Sequence, residues 1–344
     1  MTLVGKIRLL ILFLPLLILS CDFTEKEKVG SSYYEINGSA QGTTFSIVYQ
    51  DTLSRDFSSN IDSLLKEIDN QLSTYDSNSF ISQFNNSNKN TFLIDSNDLF
   101  LECFNRSKYY HNVTNGYFNA AIFPLMKYWG FYNNKELDVD SSFIIDSIIP
   151  LIQMDSITIV SDFKNNKSIK KKNINSKLDF NAIAQGYSVD LVADFLISEG
   201  VVNFLVEIGG EVTAKGINNK GNTWRIGIER PIEGSFIGEH GFQKVISLDS
   251  KSLATSGNYR KFKSINGKKV SHTINPLTGF SVNNNLLSVS VITDYAADAD
   301  ALATSFMVMG LDSSIKFINE YSDTTIKVYF IYDSLGNFKE WSNF

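Results

Sequence analysis

The stretch from Leu178 to Phe195 constrains the fold of this chain more than any other. It begins with a short apolar run around a carboxylate, Asp179, passes through Gly186, and continues with apolar residues such as Tyr187 and Leu191 four apart. That spacing predicts a helix, and the apolar run before it predicts a strand. A strand that turns sharply into a helix presents backbone N–H groups and a partial positive charge at the junction. The junction therefore suits a phosphate-bearing ligand, although any such connection shares these properties.

The N-terminal residues predict export and lipid attachment. Residues 1–20 combine two basic residues with an apolar core too short for a span of about 20 residues. Ser20 before Cys21 is typical of a bacterial lipobox, in which Cys21 is lipidated and becomes the new N-terminus. A plain secretory signal that is cleaved nearby is the alternative. Residues 21–32 are polar and predict a tether that holds the domain off the membrane.

The charge balance argues against nucleic acid as a partner. The net charge is −6, and removal of residues 1–20 takes away two basic residues and no acidic one. An acidic chain lacks the basic footprint that a phosphate backbone requires. Asp190, Asp194 and the run Lys170–Lys172 are predicted to be solvated charges. Once Cys21 is lipidated only Cys103 remains, so no internal disulfide can form, and Cys103 is interpreted as a small buried hydrophobe.

The rest of the pattern predicts an α+β fold in one domain, residues 33–344. No internal repeat or low-complexity linker divides it. Helices are expected over 61–72 and 98–112, and strands over 43–49, 157–160, 168–171, 204–208, 224–230 and 286–292.

The last helix carries the most informative polar pair. The pattern from Ala296 to Met309 predicts a helix with Thr293 or Asp294 as its cap. Asp300 and Thr304 lie four residues apart and therefore on one face of that helix. A carboxylate and a hydroxyl in this relation can both bind a hard cation such as Mg²⁺. A helix cap with a surface threonine is the alternative interpretation.

Several short segments occur in an order that is specific as a set. They are Gln41–Phe45, Leu72–Tyr75, Gly116–Asn119, Pro124–Phe131, Leu178–Asp190, Val206–Glu211, Thr255–Arg260, His272–Gly279 and Ala299–Thr304. In this order they resemble the ApbE family, the FAD:protein FMN transferases, over nearly the whole mature chain. The chain departs from the family at Asn119 and Asn275, where aspartate is more usual, and at Gln41 and Gln185, which replace a frequent methionine and a frequent lysine or glutamate.

The resemblance implies a domain in two parts, one of them related to the T-fold, with FAD in the cleft between them. By family position, the residues that would line the flavin or its adenosine end are Gln41, Tyr75, Tyr117, Phe118, Asn119, Asp179, Gln185 and Ile274. Mg²⁺ would be held by the backbone carbonyl of Ala182 and the side chains of Asp300 and Thr304. His272 occupies the family's histidine position and would act as base or proton relay, with a purely structural hydrogen bond as the alternative.

The implied reaction is Mg²⁺-dependent transfer of FMN from FAD to a serine or threonine hydroxyl of an acceptor flavoprotein, with release of AMP. Two other functions stay open: a FAD pyrophosphatase that yields FMN and AMP, and a non-catalytic flavin-binding lipoprotein. The resemblance suggests that the acceptor is a subunit of a membrane redox pump or an extracytoplasmic reductase. The expected location is extracytoplasmic, on the periplasmic side, anchored by lipid at Cys21.

Overall fold

A computed structural model of the chain describes residues 32–95, 97–132, 139–232, 239, 241–258, 262–265, 268–321 and 325–344. The predicted signal peptide and Cys21 lie outside these residues, as does all of the predicted tether except Ser32. Among the described helices, none is long and apolar enough to cross a membrane.

The described strands form one large sheet and three small ones. An eight-stranded sheet has the order β1-β2-β6-β7-β10-β13-β14-β15, and every neighbouring pair in it is antiparallel. The small sheets are β3-β5-β4, β8-β9 and β11-β12. In chain order the strands are β1 (Ser32–Ala40), β2 (Thr43–Asp51), β3 (Thr91–Leu93), β4 (Ile157–Ser161), β5 (Lys167–Lys171), β6 (Phe204–Ile208), β7 (Glu211–Lys215), β8 (Trp224–Glu229), β9 (Phe242–Leu248), β10 (Lys251–Gly257), β11 (Phe262–Ile265), β12 (Lys268–Ser271), β13 (Leu286–Thr293), β14 (Lys327–Ser334) and β15 (Asn337–Ser342).

The α-helices interrupt this series of strands and pack mainly on one face of the large sheet. They are α1 (Ser58–Leu72), α2 (Phe80–Asn86), α3 (Asp98–Val113), α4 (Phe123–Tyr128), α5 (Ser141–Phe143), α6 (Ala184–Ser198), α7 (Ala296–Met309) and α8 (Leu311–Glu320). Short 3₁₀ and π turns lie at Ala120–Ile122, Ile144–Ile148, Ile149–Ile152 and Met154–Ser156. The predicted α+β class is confirmed.

The large sheet is apolar on both faces, and period-two alternation divides its side chains between two cores. In β14, Val328 and Phe330 face the main core with the helices, whereas Tyr329 and Ile331 face a second core beneath the β8–β9 hairpin. A third core lies apart from the sheet. Its buried members are Leu125, Trp129, Ile144, Ile148, Ile152, Val270 and Ile274.

Two hairpin turns of the large sheet lie close to the start of α6. The β1–β2 turn has positive φ at Gln41 and Gly42, 54° and 73°. The β6–β7 turn has positive φ at Gly209 and Gly210, 65° and 105°. A turn with two consecutive residues at positive φ matches the right-handed twist of antiparallel strands, and glycine adopts positive φ without steric cost.

The bounds predicted for the last helix, 296–309, are confirmed, but its predicted cap is wrong. The residue before α7 is Tyr295, and no side-chain hydrogen bond from it caps the helix. Thr293 donates its hydroxyl proton to the Tyr295 carbonyl at 2.6 Å, so it is not a cap acceptor. The capping group is the carboxylate of Asp190, a residue predicted to be solvated.

The lysine run Lys170–Lys172 is only partly a solvated strand end. Lys171 is fully buried, because it points inward on the same side of β5 as Ile169. Its ammonium group donates to the carbonyls of Phe84 and Ser176 at 3.2 and 3.4 Å and lies 4.7 Å from the centre of the Phe84 ring. Burial lowers the pKa of Lys171 to about 8. Cys103 is buried as predicted.

Candidate functional site

The segment that leads into α6 is buried and extended, but it is not a strand of any sheet. The side chain of Asn85 takes the place of a neighbouring strand at Leu178, because its Oδ1 accepts from the Leu178 N–H at 2.7 Å and its Nδ2 donates to the Leu178 carbonyl at 2.8 Å. The Asp179 N–H donates to the Ala120 carbonyl at 2.8 Å. The predicted strand is therefore wrong, whereas the predicted sharp turn into a helix is confirmed.

The carboxylate of Asp179 is the centre of a polar cluster at this turn. It accepts from the Asn181 N–H at 2.8 Å and from the Tyr132 hydroxyl at 2.5 Å. Tyr132 in turn accepts from the Asn181 side-chain amide at 2.9 Å, and its hydroxyl lies 3.1 Å from that of Thr74. Burial raises the pKa of Asp179, and the hydrogen bonds from Tyr132 and Asn181 act in the opposite direction.

Tyr132 was not among the predicted site residues. Its ring lies 4.6 Å from that of Phe123 and 5.5 Å from that of Tyr75, so the three rings form an aromatic wall beside Asp179. Tyr75 is 74% exposed, which leaves one side of its ring open to a ligand or to solvent. A signal for Tyr132 did exist, since it directly follows the matching segment that ends at Phe131.

The first turn of α6 meets the polar pair of α7. The Gly186 N–H donates to Asp300 Oδ2 at 3.3 Å. Asp300 is buried, and burial raises the pKa of its carboxyl group above the ordinary range. Thr304 is half-buried, and its hydroxyl lies 3.3 Å from that of Ser256 in β10. Ser256 was not predicted as a site residue, although it lies within the matching segment that begins at Thr255.

The predicted metal ligands come from two segments that the structure brings into contact. Ala182 lies in the turn just before α6, and Asp300 contacts Gly186 in the first turn of that helix. Within the described parts of the chain, no cluster of three or more His, Cys, Asp or Glu side chains could hold a metal ion. A metal here would have to use mixed oxygen donors: one carboxylate, one hydroxyl and a backbone carbonyl.

The side chains of Gln41 and Gln185 meet the surroundings of the first two turns of α6: Gln185 belongs to that helix, and Gln41 reaches it from the β1–β2 turn. Gln41 donates from Nε2 to the Ser188 hydroxyl at 2.5 Å, and its Oε1 is buried without a hydrogen-bond partner in the described residues. The amide of Gln185 packs against the β6–β7 turn, where a Cβ on Gly209 would lie 2.7 Å from Nε2. The buried Oε1 of Gln41 is an acceptor that a bound ligand could satisfy.

The segment after α3 is fixed by hydrogen bonds at each residue. Thr114 Oγ1 accepts from the Phe118 N–H at 2.9 Å, and His111 Nδ1 lies 3.0 Å from the Phe118 carbonyl. Asn119 accepts from the Ala121 N–H and donates to the Ile152 carbonyl, both at 2.8 Å. Aspartate accepts but cannot donate when ionised, so asparagine suits this position better. Tyr117 is half-buried.

The segment after β12 carries His272, Ile274 and Asn275. His272 is half-buried. Ile274 is 3% exposed within the third core and pairs with Ser281 in an isolated bridge. Asn275 accepts from the Leu277 N–H at 2.8 Å and so fixes the turn that follows. Phe118 is 2% exposed, so any ligand contact by Phe118 or Ile274 would involve their backbone groups.

The comparisons with known proteins agree with one another. Residues 41–330 match the model of the ApbE family. The FAD:protein FMN transferase of Vibrio cholerae is 32% identical over 314 residues, which are 90% of this chain and 90% of that protein. The FAD:protein FMN transferase of Haemophilus influenzae is 30% identical over 82% of each chain.

Solved structures give the same answer. Flavin transferase ApbE from Vibrio cholerae has a TM-score of 0.79 and 31% identity, and the match covers 91% of this chain and 97% of that one. The apo form of Pseudomonas stutzeri flavinyl transferase ApbE has a TM-score of 0.78 and 28% identity, with 91% and 95% covered. The fold, the ordered segments and these matches together show that the chain belongs to the ApbE family.

Proposed function

We propose that this chain transfers FMN from FAD to a serine or threonine hydroxyl of an acceptor flavoprotein, releases AMP, and requires Mg²⁺. The names of its curated relatives support flavin transfer. The observation in this chain that carries the proposal is the hydrogen bond from the Gly186 N–H to Asp300. That bond joins the first turn of α6 to the polar face of α7, and a diphosphate and its metal could be held together at this contact.

The donor set at this contact fits Mg²⁺. Asp300 offers a carboxylate, Thr304 a hydroxyl and Ala182 a carbonyl, and Mg²⁺ prefers oxygen ligands that it shares with substrate phosphates. Asp300 is 6% exposed, and no basic side chain of the described ranges forms an ion pair with it or lowers its pKa. A buried carboxylate without a cationic neighbour is costly, and a bound divalent cation would remove that cost.

The chain's own residues would bind FAD, exclude water and move one proton. When bound, Mg²⁺ would neutralise the FAD diphosphate and the charge that AMP gains as it leaves. The acceptor hydroxyl oxygen bonds to the phosphorus on the FMN side, the bond from that phosphorus to the AMP oxygen breaks, and AMP takes its electron pair. His272 accepts the hydroxyl proton, because an imidazole has a suitable pKa for this role near neutral pH.

The aromatic wall of Tyr75, Tyr132 and Phe123 supports transfer over hydrolysis. Its rings can cover one face of the flavin end of the ligand while the Tyr132 hydroxyl stays bonded to Asp179. Covering the ligand keeps stray water away from the phosphorus and favours an acceptor that brings its own hydroxyl. Hydrolysis to FMN and AMP, and flavin binding without catalysis, are the two other outcomes that an assay must separate.

One chromatographic assay separates these functions. The chain is supplied with FAD and Mg²⁺, and FMN and AMP are measured with and without an extracytoplasmic flavin-bearing acceptor. We expect slow AMP release without acceptor and faster AMP release with it. Rapid release of both products that no acceptor changes would indicate a hydrolase, and no release under either condition would indicate a binding protein.

We also propose that the chain is a lipoprotein on the periplasmic side of a membrane, as the Leu19-Ser20-Cys21 sequence suggests. This location would bring it to acceptors that are subunits of membrane redox pumps or extracytoplasmic reductases. Replacing Cys21 with alanine should release the protein from the membrane fraction, because no acyl chain can then be attached. Mass spectrometry of the mature N-terminus should find an acylated Cys21. Cys103→Ala is the matched control and should stay with the membrane; an unmodified mature N-terminus beyond residue 21 would contradict the proposal.

A further inference from the structure

Asp190 caps a helix to which it does not belong. It lies in α6 and is 7% exposed. Its Oδ1 accepts from the Ala296 N–H at 2.6 Å, and its Oδ2 accepts from the Ala297 N–H at 3.0 Å. The first N–H groups of a helix have no partner within it, and a side-chain acceptor normally comes from the residue just before the helix. In α7 that residue is Tyr295, which makes no such bond.

The two helices exchange hydrogen bonds in both directions. On α6, Gly186 donates its N–H to Asp300 of α7 at 3.3 Å, while Asp190, one turn later, accepts from the start of α7. The helices also touch directly, since a Cβ on Gly186 would lie only 2.4 Å from the Ala296 carbonyl oxygen. The start of α7 therefore cannot shift or rotate without breaking the bonds to Asp190, and any such shift would carry Asp300 with it.

A third helix supplies the charge that Asp190 needs. Arg106 of α3 lies 3.9 Å from Asp190 and 2.9 Å from Asp298, and its guanidinium is 5.2 Å from the centre of the Tyr295 ring. Burial raises the pKa of Asp190, whereas the two N–H groups and Arg106 lower it. Asp300 has no comparable basic neighbour among the described residues. A cation of the protein therefore stabilises the charge of Asp190, whereas the charge of Asp300 is left for a bound cation.

We propose that Asp190 is a positioning residue for the metal site: it holds the start of α7 so that Asp300 and Thr304 face the turn that contains Ala182. This inference rests on the proposed metal site and extends it to a residue that binds neither metal nor substrate. Supporting residues around metal sites commonly change metal affinity because they fix the orientation of the ligands.

The test is the Mg²⁺ requirement of Asp190→Asn, in which one oxygen acceptor is replaced by an amide that cannot accept from an N–H. Mg²⁺ is titrated by calorimetry into the full chain carrying FAD, and the rate of FMN transfer is measured over the same concentrations. We expect the Mg²⁺ concentration for half-saturation to rise about tenfold or more, with the rate largely restored at saturating Mg²⁺. Asp194→Asn, the same change one turn later at an exposed position of α6, should leave both quantities unchanged.

A purely structural role would give a different pattern. It would lower the transfer rate by the same factor at every Mg²⁺ concentration and leave the Mg²⁺ concentration for half-saturation unchanged. That result would overturn the inference. So would an Asp190→Asn protein whose Mg²⁺ binding and transfer rate equal those of Asp194→Asn. Should Asp190→Asn fold poorly, Asp190→Ser is used instead: its hydroxyl can accept from only one of the two N–H groups, so the Mg²⁺ requirement should again rise, and an unchanged requirement would equally overturn the inference. Asp300→Asn is measured in the same way. If Asp300→Asn binds Mg²⁺ normally, the proposed metal site itself is wrong. If Asp300→Asn loses Mg²⁺ binding but Asp190→Asn does not, only the role of Asp190 is rejected.

Discussion

Replacing Asp300 with asparagine is expected to slow FMN transfer by at least about 10²-fold, because metal-based charge stabilisation contributes several kcal/mol to a transition state and each ~1.4 kcal/mol is a factor of ten. The substitution keeps the side-chain volume and removes the charge that would attract Mg²⁺. The measurement is the initial rate of transfer at limiting and at saturating Mg²⁺.

The same variant should not be less stable than the unmodified protein when Mg²⁺ is absent. Burial raises the pKa of Asp300 above its value in an unfolded chain, so the folded state binds a proton more tightly than the unfolded state. The contribution of Asp300 to the free energy of unfolding is therefore lost as the pH rises through the raised pKa. Asparagine does not ionise, so the variant does not lose stability in this way at neutral pH. Thermal unfolding without Mg²⁺ checks this. Normal transfer by Asp300→Asn at limiting Mg²⁺ would show that Asp300 is not a metal ligand.

Replacing His272 with alanine is expected to lower transfer by about 10²- to 10⁴-fold, the range that a positioned general base contributes. FAD binding should change little, because the imidazole would act on the acceptor's proton and not on the flavin. The loss should therefore appear in the maximal rate more than in the FAD concentration for half-saturation.

Added imidazole offers a sharp control for this variant. A small base that enters the space left by the side chain should restore part of the rate of His272→Ala, and that restoration should increase with the fraction of neutral imidazole as the pH rises. The unmodified protein should not respond. Loss of FAD binding in His272→Ala, with no response to imidazole, would indicate a structural role for His272.

Much of the fold could be predicted because local patterns agree with it. The sequence predicts the bounds of the last helix, Ala296 and Met309, correctly, since a long run of small and apolar residues ends at Gly310, whose φ of 80° suits glycine. The spacing of Asp300 and Thr304 placed both on one face of that helix. The contact of this face with the start of α6 follows only from family resemblance, because local patterns do not specify which elements meet.

The errors share one cause, which is a partner distant in the sequence. The polar face of its helix predicts a solvated Asp190, but the carboxylate accepts a hydrogen bond from the Ala296 N–H, 106 residues further along the chain. The segment at Leu178 resembles a strand because it is apolar and extended, but its partner is the Asn85 side chain, 93 residues away. Tyr132 likewise bonds to Asp179 across 47 residues. Polar side chains that satisfy distant backbone or carboxylate groups leave no periodic signal.

Transfer of FMN to a protein hydroxyl can be observed as a change in the mass of the acceptor after reaction. The chain, FAD and Mg²⁺ are incubated with an extracytoplasmic flavin-bearing acceptor, which is then digested and analysed by mass spectrometry. We expect the added mass of FMN on one serine or threonine peptide, AMP in equal amount, and no such peptide with Asp300→Asn. Consumption of FAD to free FMN and AMP, with every acceptor peptide unmodified, would contradict the proposed transfer.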